Sequence, residues 1–187
     1  VDLGPDSDIY LARVDWSTDG QTLYVQRQSR DQKTLDLLSV DPATGRSRVI
    51  LTQTGEAWVE LTHDFKALKD GNFIWSNEDL GWRHLYLYDR DGKLIRPITY
   101  GPWPVKSLEG LNEETGEVFF TASFGYAERP PGVTGGHSLC VLPGGTMMCD
   151  VQGERPTIQR LWKGSFRQTS GRFTPVTSDT GWWTASV

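Results

Sequence analysis

The sequence predicts an all-β fold: a partial β-propeller of about three four-stranded antiparallel blades. Three observations carry this reading. Short apolar runs, rich in aromatic and β-branched residues, alternate with clusters of Asp, Gly, Asn and Pro, as strands alternate with turns. The chain holds 20 Gly and 10 Pro in 187 residues, more than helix interiors tolerate. A glycine-marked unit returns at Gly20, Gly71 and Gly116, spacings of 51 and 45, close to the roughly 40–50 residue period of propeller blades.

The first unit runs from the turn Asp19-Gly20 through Leu23–Val25 and Leu35–Val40 to the turn Asp41–Gly45 and the strand Arg48–Thr52. The second has Asp70-Gly71, Phe73–Trp75, His84–Tyr88, the turn Asp89–Gly92 and Leu94–Thr99. The third reads Thr115-Gly116, Val118–Phe120, Ser138–Leu142, the turn Pro143–Gly145 and Thr146–Val151. Each is strand, turn, strand, loop, strand, turn, strand. Asp-Gly supplies the positive φ that tight hairpins need. Leu85, Tyr86, Leu87 and Tyr88 are all apolar, so that strand is expected to be buried on both faces, as in a sheet stacked between neighbours. A sandwich also has short strands with turns every 8–12 residues or so; the longer recurrence favours the propeller.

Composition narrows the function classes. A net charge of -5 argues against a surface built to neutralise phosphates, so no nucleic acid is expected. No apolar run approaches the roughly 20 residues of a membrane span. Eight Trp and 11% aromatic residues exclude a disordered chain. The chain opens on Val1, with neither a basic start nor an apolar core behind it, which reads as a piece of a longer or processed polypeptide.

Two stretches carry a resemblance: Asn77-Glu78 followed by Gly81-Trp82-Arg83-His84-Leu85-Tyr86-Leu87-Tyr88, and Thr99-Tyr100-Gly101-Pro102-Trp103-Pro104-Val105. With Tyr10 to Gly20, they resemble the propeller of bacterial dipeptidyl peptidase IV, a prolyl oligopeptidase-like serine peptidase family. The likeness runs from residue 8 to about 123 and thins beyond Phe124 to scattered positions between Gly135 and Val141. The resemblance implies an eight-bladed propeller capping an α/β-hydrolase domain with a Ser, Asp, His triad. This chain would be about three of those blades, a non-catalytic piece that gates and binds oligopeptide substrate. The parent would be a periplasmic or secreted homodimer, and the missing blades and hydrolase domain would be this chain's partners. The alternative is a TolB-like periplasmic binding propeller without an enzyme domain; a glycan-processing propeller is a third, more distant reading.

No catalytic residue is expected here. A hydrolase serine sits on a Gly-x-Ser-x-Gly elbow; Gly136-His137-Ser138-Leu139-Cys140 fails at its last position, and Ser138 reads as a strand residue. The family's paired acids lie upstream of the matching segment, and Glu113-Glu114 reads as a turn facing water. The stretch after Trp58-Val59 lines the pocket in some relatives, but Glu60-Leu61-Thr62-His63 lacks their aromatic-plus-Arg pattern, so the substrate-binding residues stay unknown. No cofactor or metal is expected, because His63, His84 and His137 fall in three different repeats. His84, beside Arg83, is expected to hydrogen-bond within a blade. Asp89-x-Asp91-Gly92 reads as a hairpin turn and lacks the later ligands of a calcium loop. Trp16, Trp75 and Trp82 fall at repeat-matched positions and are expected to pack.

Cys140 and Cys149 invite a geometric test. If Gly144-Gly145 is a two-residue loop, they oppose each other as a non-hydrogen-bonded pair about 4.5 Å apart, at the short end of disulfide geometry. Pro143 cannot donate in the closing pair, so a disulfide and two free thiols remain equally open. The domain reading is blades over 8–151 and a divergent or poorly ordered tail over 152–187, since 11 of the 20 Gly lie beyond residue 110 and the strand pattern fades after Asp150.

Overall fold

The computed structural model describes residues 1–5, 7–79, 81–101, 104–122, 139–141, 147–149, 160–165, 167 and 174–175. Among them every regular element is a strand, and no helix is long and apolar enough to cross a membrane. The first sheet joins Ile9–Trp16 (β1), Leu23–Ser29 (β2), Thr34–Val40 (β3) and Ser47–Thr54 (β4) in sequential order. The second joins Lys66–Ala67 (β5), Phe73–Asn77 (β6), His84–Tyr88 (β7) and Leu94–Pro97 (β8) in the same way. Both are antiparallel meanders, the unit of a propeller blade.

The turns close as their residues require. Gly20, Gly71 and Gly116 all adopt positive φ, at 68°, 87° and 76°, each in the first hairpin of its sheet. Two turns of the first sheet repeat one chemistry. In Ser17–Thr22, the Ser17 hydroxyl donates to Asp19 Oδ1 at 2.6 Å, Gln21 N–H donates to the same carboxylate, and Thr22 N–H donates to Ser17 Oγ. Ser29–Thr34 repeats this with Asp31. Hydrogen bonds from Ser17 and Ser29 hold Asp19 and Asp31 below the usual carboxylate range.

The third sheet differs from expectation. Val105–Asn112 (β9) and Glu117–Ala122 (β10) pair as the repeat predicts. The outer neighbour of β10, however, is Arg160–Ser165 (β13), followed by Thr174–Pro175 (β14). Leu139–Val141 (β11) and Met147–Cys149 (β12) pair only with each other as a separate two-stranded sheet. The physical reason is that alternation and a turn signal specify a hairpin but not the strand it joins.

The chain divides into two compact units, Val1–Asn77 with Tyr86–Pro97, and Glu78–Leu85 with Ile98–Val187. In the first, two sheets share one core. Tyr24, Leu35, Leu37 and Ile50 from the first sheet pack with Phe65, Phe73, Trp75, Tyr86 and Tyr88 around the second. Phe73 stacks on Tyr88 at 5.4 Å, and Phe65 bridges Tyr24 at 4.9 Å and Trp75 at 6.2 Å. Such aromatic contacts add about 0.5–1.5 kcal/mol each beyond the area they bury. Burial holds the Tyr24 phenol above its ordinary pKa. As the apolar run over Leu85–Tyr88 predicts, β7 is buried at every position; β6, with Ser76 and Asn77 in it, is buried throughout as well.

The opposite face of the first sheet is only half covered. Val14, Val25, Leu38 and Val49 form one row across the four strands, and Leu3 packs over its centre with Leu23 and Val40. The N-terminal segment is tied down by Arg27, which donates to the Leu3 carbonyl while pairing with Asp36 at 2.5 Å. Leu11, Val14, Trp16 and Val49 stay exposed at the edges. Trp16 is 57% and Trp82 46% exposed, correcting the expectation that both pack; Trp75, at 2%, is the one of the three that does. Trp16 shares its face with Val14, where Leu3 reaches only the middle strands.

In the second unit, β9 and β10 bury Val105, Leu108, Val118, Phe120 and Ala122. Ser107 and Thr121 hydroxyls meet at 2.7 Å and both contact Glu109 Oε1, a polar triangle on one face of the ladder.

Candidate functional site

Two places gather polar chemistry. The first is the β4–β5 connection over residues 55–64. Its backbone is anchored to the β2–β3 turn: Gly55 N–H donates to the Lys33 carbonyl at 3.0 Å and Val59 N–H to Gln32 at 2.7 Å. The buried Gln28 amide donates to the Val59 carbonyl, and the Arg13 guanidinium to that of Thr62. Position 55 must be glycine, because a Cβ there would collide with the Trp58 carbonyl. This fixed loop presents Trp58, 62% exposed, with its indole N–H donating to Glu60 Oε2 at 3.2 Å. His63, in the same connection, is exposed. An aromatic face with a carboxylate at its edge can hold a ligand by stacking and accepted hydrogen bonds. The sequence marks the stretch after Trp58-Val59 as pocket wall in some relatives without assigning a contact residue; the structure adds the exposed Trp58 ring and its bond to Glu60.

The second place joins the two stretches that carry the family resemblance. His84, 1% exposed, opens β7. Its Nε2 lies 3.0 Å from the Gly101 carbonyl, which can only accept, so Nε2 carries the proton. Its Nδ1 therefore accepts from the Thr99 hydroxyl at 3.0 Å, and that oxygen in turn accepts the Leu85 N–H at 2.9 Å. Backbone bonds from Ile98 N–H to the Leu85 carbonyl and from Val105 N–H to that of Arg83 close the junction on either side. Arg83 pairs with Glu78 at 3.3 Å. Burial holds His84 below its ordinary pKa, opposed by the Gly101 hydrogen bond. Both ring nitrogens are committed, so the imidazole acts here as a brace and not as a base.

Ser138 and His137 lie outside the described residues. Glu114 is exposed in the turn before Gly116, while Glu113 is half-buried; the turn is organised by Asn112, whose side chain accepts from Glu114 and Thr115 N–H. Asp89 accepts from the backbone N–H of Asp91 and Lys93, the hairpin role expected of it. Cys140 stands opposite Met148 and Cys149 opposite Leu139, one position away from the direct cross-strand pairing considered above. Among the described residues no three His, Cys, Asp or Glu gather as a metal-binding group.

The family described as dipeptidyl peptidase IV (DPP IV) N-terminal region matches residues 1–133. A probable dipeptidyl peptidase 4 of Aspergillus flavus is 24% identical over 182 residues, covering 92% of this chain and 23% of that protein. The dipeptidyl peptidase 4 of Arthroderma otae is 26% identical over 125 residues, covering 64% and 16% respectively. The crystal structure of Porphyromonas gingivalis dipeptidyl peptidase 4 superposes with a TM-score of 0.70 at 24% identity, over 96% of this chain and 21% of that one. The chain thus spans less than a quarter of the length of these relatives, and the structural likeness speaks for the fold.

Proposed function

This chain belongs to the dipeptidyl peptidase IV N-terminal region family, and from that premise we propose that it forms consecutive blades of the non-catalytic propeller of a dipeptidyl peptidase IV-like serine exopeptidase. In this reading the blades wall the route by which oligopeptides reach a triad held in an α/β-hydrolase domain, in a homodimeric enzyme of the periplasm or the secreted fraction. The anchored β4–β5 connection supplies part of the wall through Trp58 and Glu60. The observation that carries the reading is the shared core of the first two sheets, where Tyr24, Leu35 and Leu37 pack with Phe73, Trp75 and Tyr88, the face-to-face stacking of adjacent blades.

The test is twofold. The purified chain should release no dipeptide from a Gly-Pro reporter, while the full-length parent should, with a Gly-x-Ser-x-Gly elbow in its downstream sequence. Activity of the chain alone that survives a serine-directed inhibitor control would overturn the assignment; a parent lacking the elbow would favour a binding propeller. In the full-length enzyme, Trp58→Ala should raise KM for oligopeptides more than for the short reporter, with kcat little changed, because it removes ground-state contact remote from the chemistry.

A further inference from the structure

The first sheet carries an aromatic ring and a carboxylate closed around a cation. The Arg30 guanidinium lies over the Tyr10 ring, 4.3 Å from its centroid, while its Nε–H donates to Asp8 Oδ1 at 2.7 Å. The β4–β5 connection repeats the ring and the carboxylate. Trp58 stands exposed with its indole N–H donating to Glu60 Oε2 at 3.2 Å. Among the described residues, no Lys or Arg pairs with Glu60 or lies over the Trp58 ring. We propose that Trp58 and Glu60 form a clamp for a basic side chain of a peptide, the guanidinium of arginine or the ammonium of lysine. The clamp rests on the function proposed above only in taking that peptide to be substrate.

The chemistry follows from what each group has left to offer. Indole attracts a cation over its face more strongly than the other aromatic side chains. The bond to Glu60 engages the ring edge and leaves the exposed face to a ligand. Glu60 gives Oε2 to the indole, and a carboxylate has further acceptor positions, so Oε1 can accept from a cation seated on the ring. Residues 55–63 contain Glu56 and Glu60 but neither Lys nor Arg, so their field favours a basic side chain and opposes an acidic one. The anchoring β2–β3 turn adds Arg30 and Lys33 against Asp31, with Arg30 already held by Asp8. The backbone bonds at Gly55, Val59 and Thr62 fix the connection in advance, so little order is lost on binding.

The probe is the capped tripeptide acetyl-Gly-Arg-Gly-amide, set against its citrulline counterpart, which keeps the shape and loses the charge. In the full chain, the indole N–H signal of Trp58, assigned through Trp58→Phe, should shift as the arginine peptide is added. Its Kd should be roughly three- to tenfold below that of the citrulline peptide. Glu60→Gln should bring the two values together, and added salt should narrow the gap. Equal affinities in the wild type, or an unchanged ratio in Glu60→Gln, would overturn the proposal. So would equally tight binding of uncapped Gly-Gly-Gly-amide, which would assign the site to a peptide's terminal ammonium. Binding needs no hydrolase domain, so the two readings separate. An inactive parent would strike the substrate and leave the clamp, whereas an active parent whose chain shows no charge preference would strike the clamp alone.

Discussion

Gly92 lies against the carbonyl of Ile50 so closely that a Cβ on Gly92 would overlap the Ile50 oxygen. The β7–β8 turn of one sheet is thereby seated on β4 of the next, alongside the ion pair of Arg48 with Asp91. Gly92 also needs φ of 84°, so two independent constraints exclude a side chain. Gly20 shares the conformation, at 68°, but has open space around it. Gly92→Ala should therefore cost clearly more than Gly20→Ala, for which about 1–2 kcal/mol is expected from backbone strain alone. Urea unfolding of the two variants measures the difference; equal losses would mean the sheets are not seated at this turn.

Gln32 occupies in the second turn the place that Gly20 holds in the first. Its φ is 61°, and each N–H donates to the serine carbonyl three residues back. A residue with a Cβ pays for that conformation, so Gln32→Gly should stabilise the chain by roughly 0.5–1 kcal/mol. A higher unfolding midpoint at unchanged slope is the expected result, and a lower one would show that the Gln32 side chain contributes more than its backbone strain removes.

Acid should attack the same turns. Asp19 and Asp31 have depressed pKa values because serine hydroxyls and backbone N–H groups bind their charged forms. The folded state thus holds these protons less tightly than the unfolded chain. Their contribution is present above the unfolded value of 3.8 and is lost as pH falls below it. Both carboxylates are exposed, so the effect is modest. The double variant Ser17→Ala, Ser29→Ala should shrink the loss of stability between pH 5 and pH 3, measured by denaturant midpoints at matched salt. An acid limb as steep as wild type would rule the hydroxyls out.

The half-covered face of the first sheet should make the isolated chain associate. Leu11, Val14 and Trp16 line one edge of that face and Val49 the other, apolar margins of the kind that monomers rarely leave bare. Trp16→Glu with Val14→Lys should shift sedimentation toward monomer without altering the circular dichroism of the sheets. A wild-type chain that sediments as a monomer would contradict this.

Local rules explain what was legible in advance. The Gly20, Gly71 and Gly116 turns, strands β2 to β4 and β6 to β8 and the double burial of His84–Tyr88 follow from φ preferences and side-chain alternation, which a few adjacent residues specify on their own. Partner choice is not local. That β10 joins β13 instead of β11, that Trp16 stays exposed while Trp75 is enclosed, and that His84 reaches Thr99 and Gly101 all depend on segments far apart in the chain. Repetition in this sequence determined that it makes four-stranded meanders. Only the tertiary structure decided which strands complete them and which faces they cover, because those outcomes compare the burial and hydrogen bonding of whole surfaces, which no short stretch encodes.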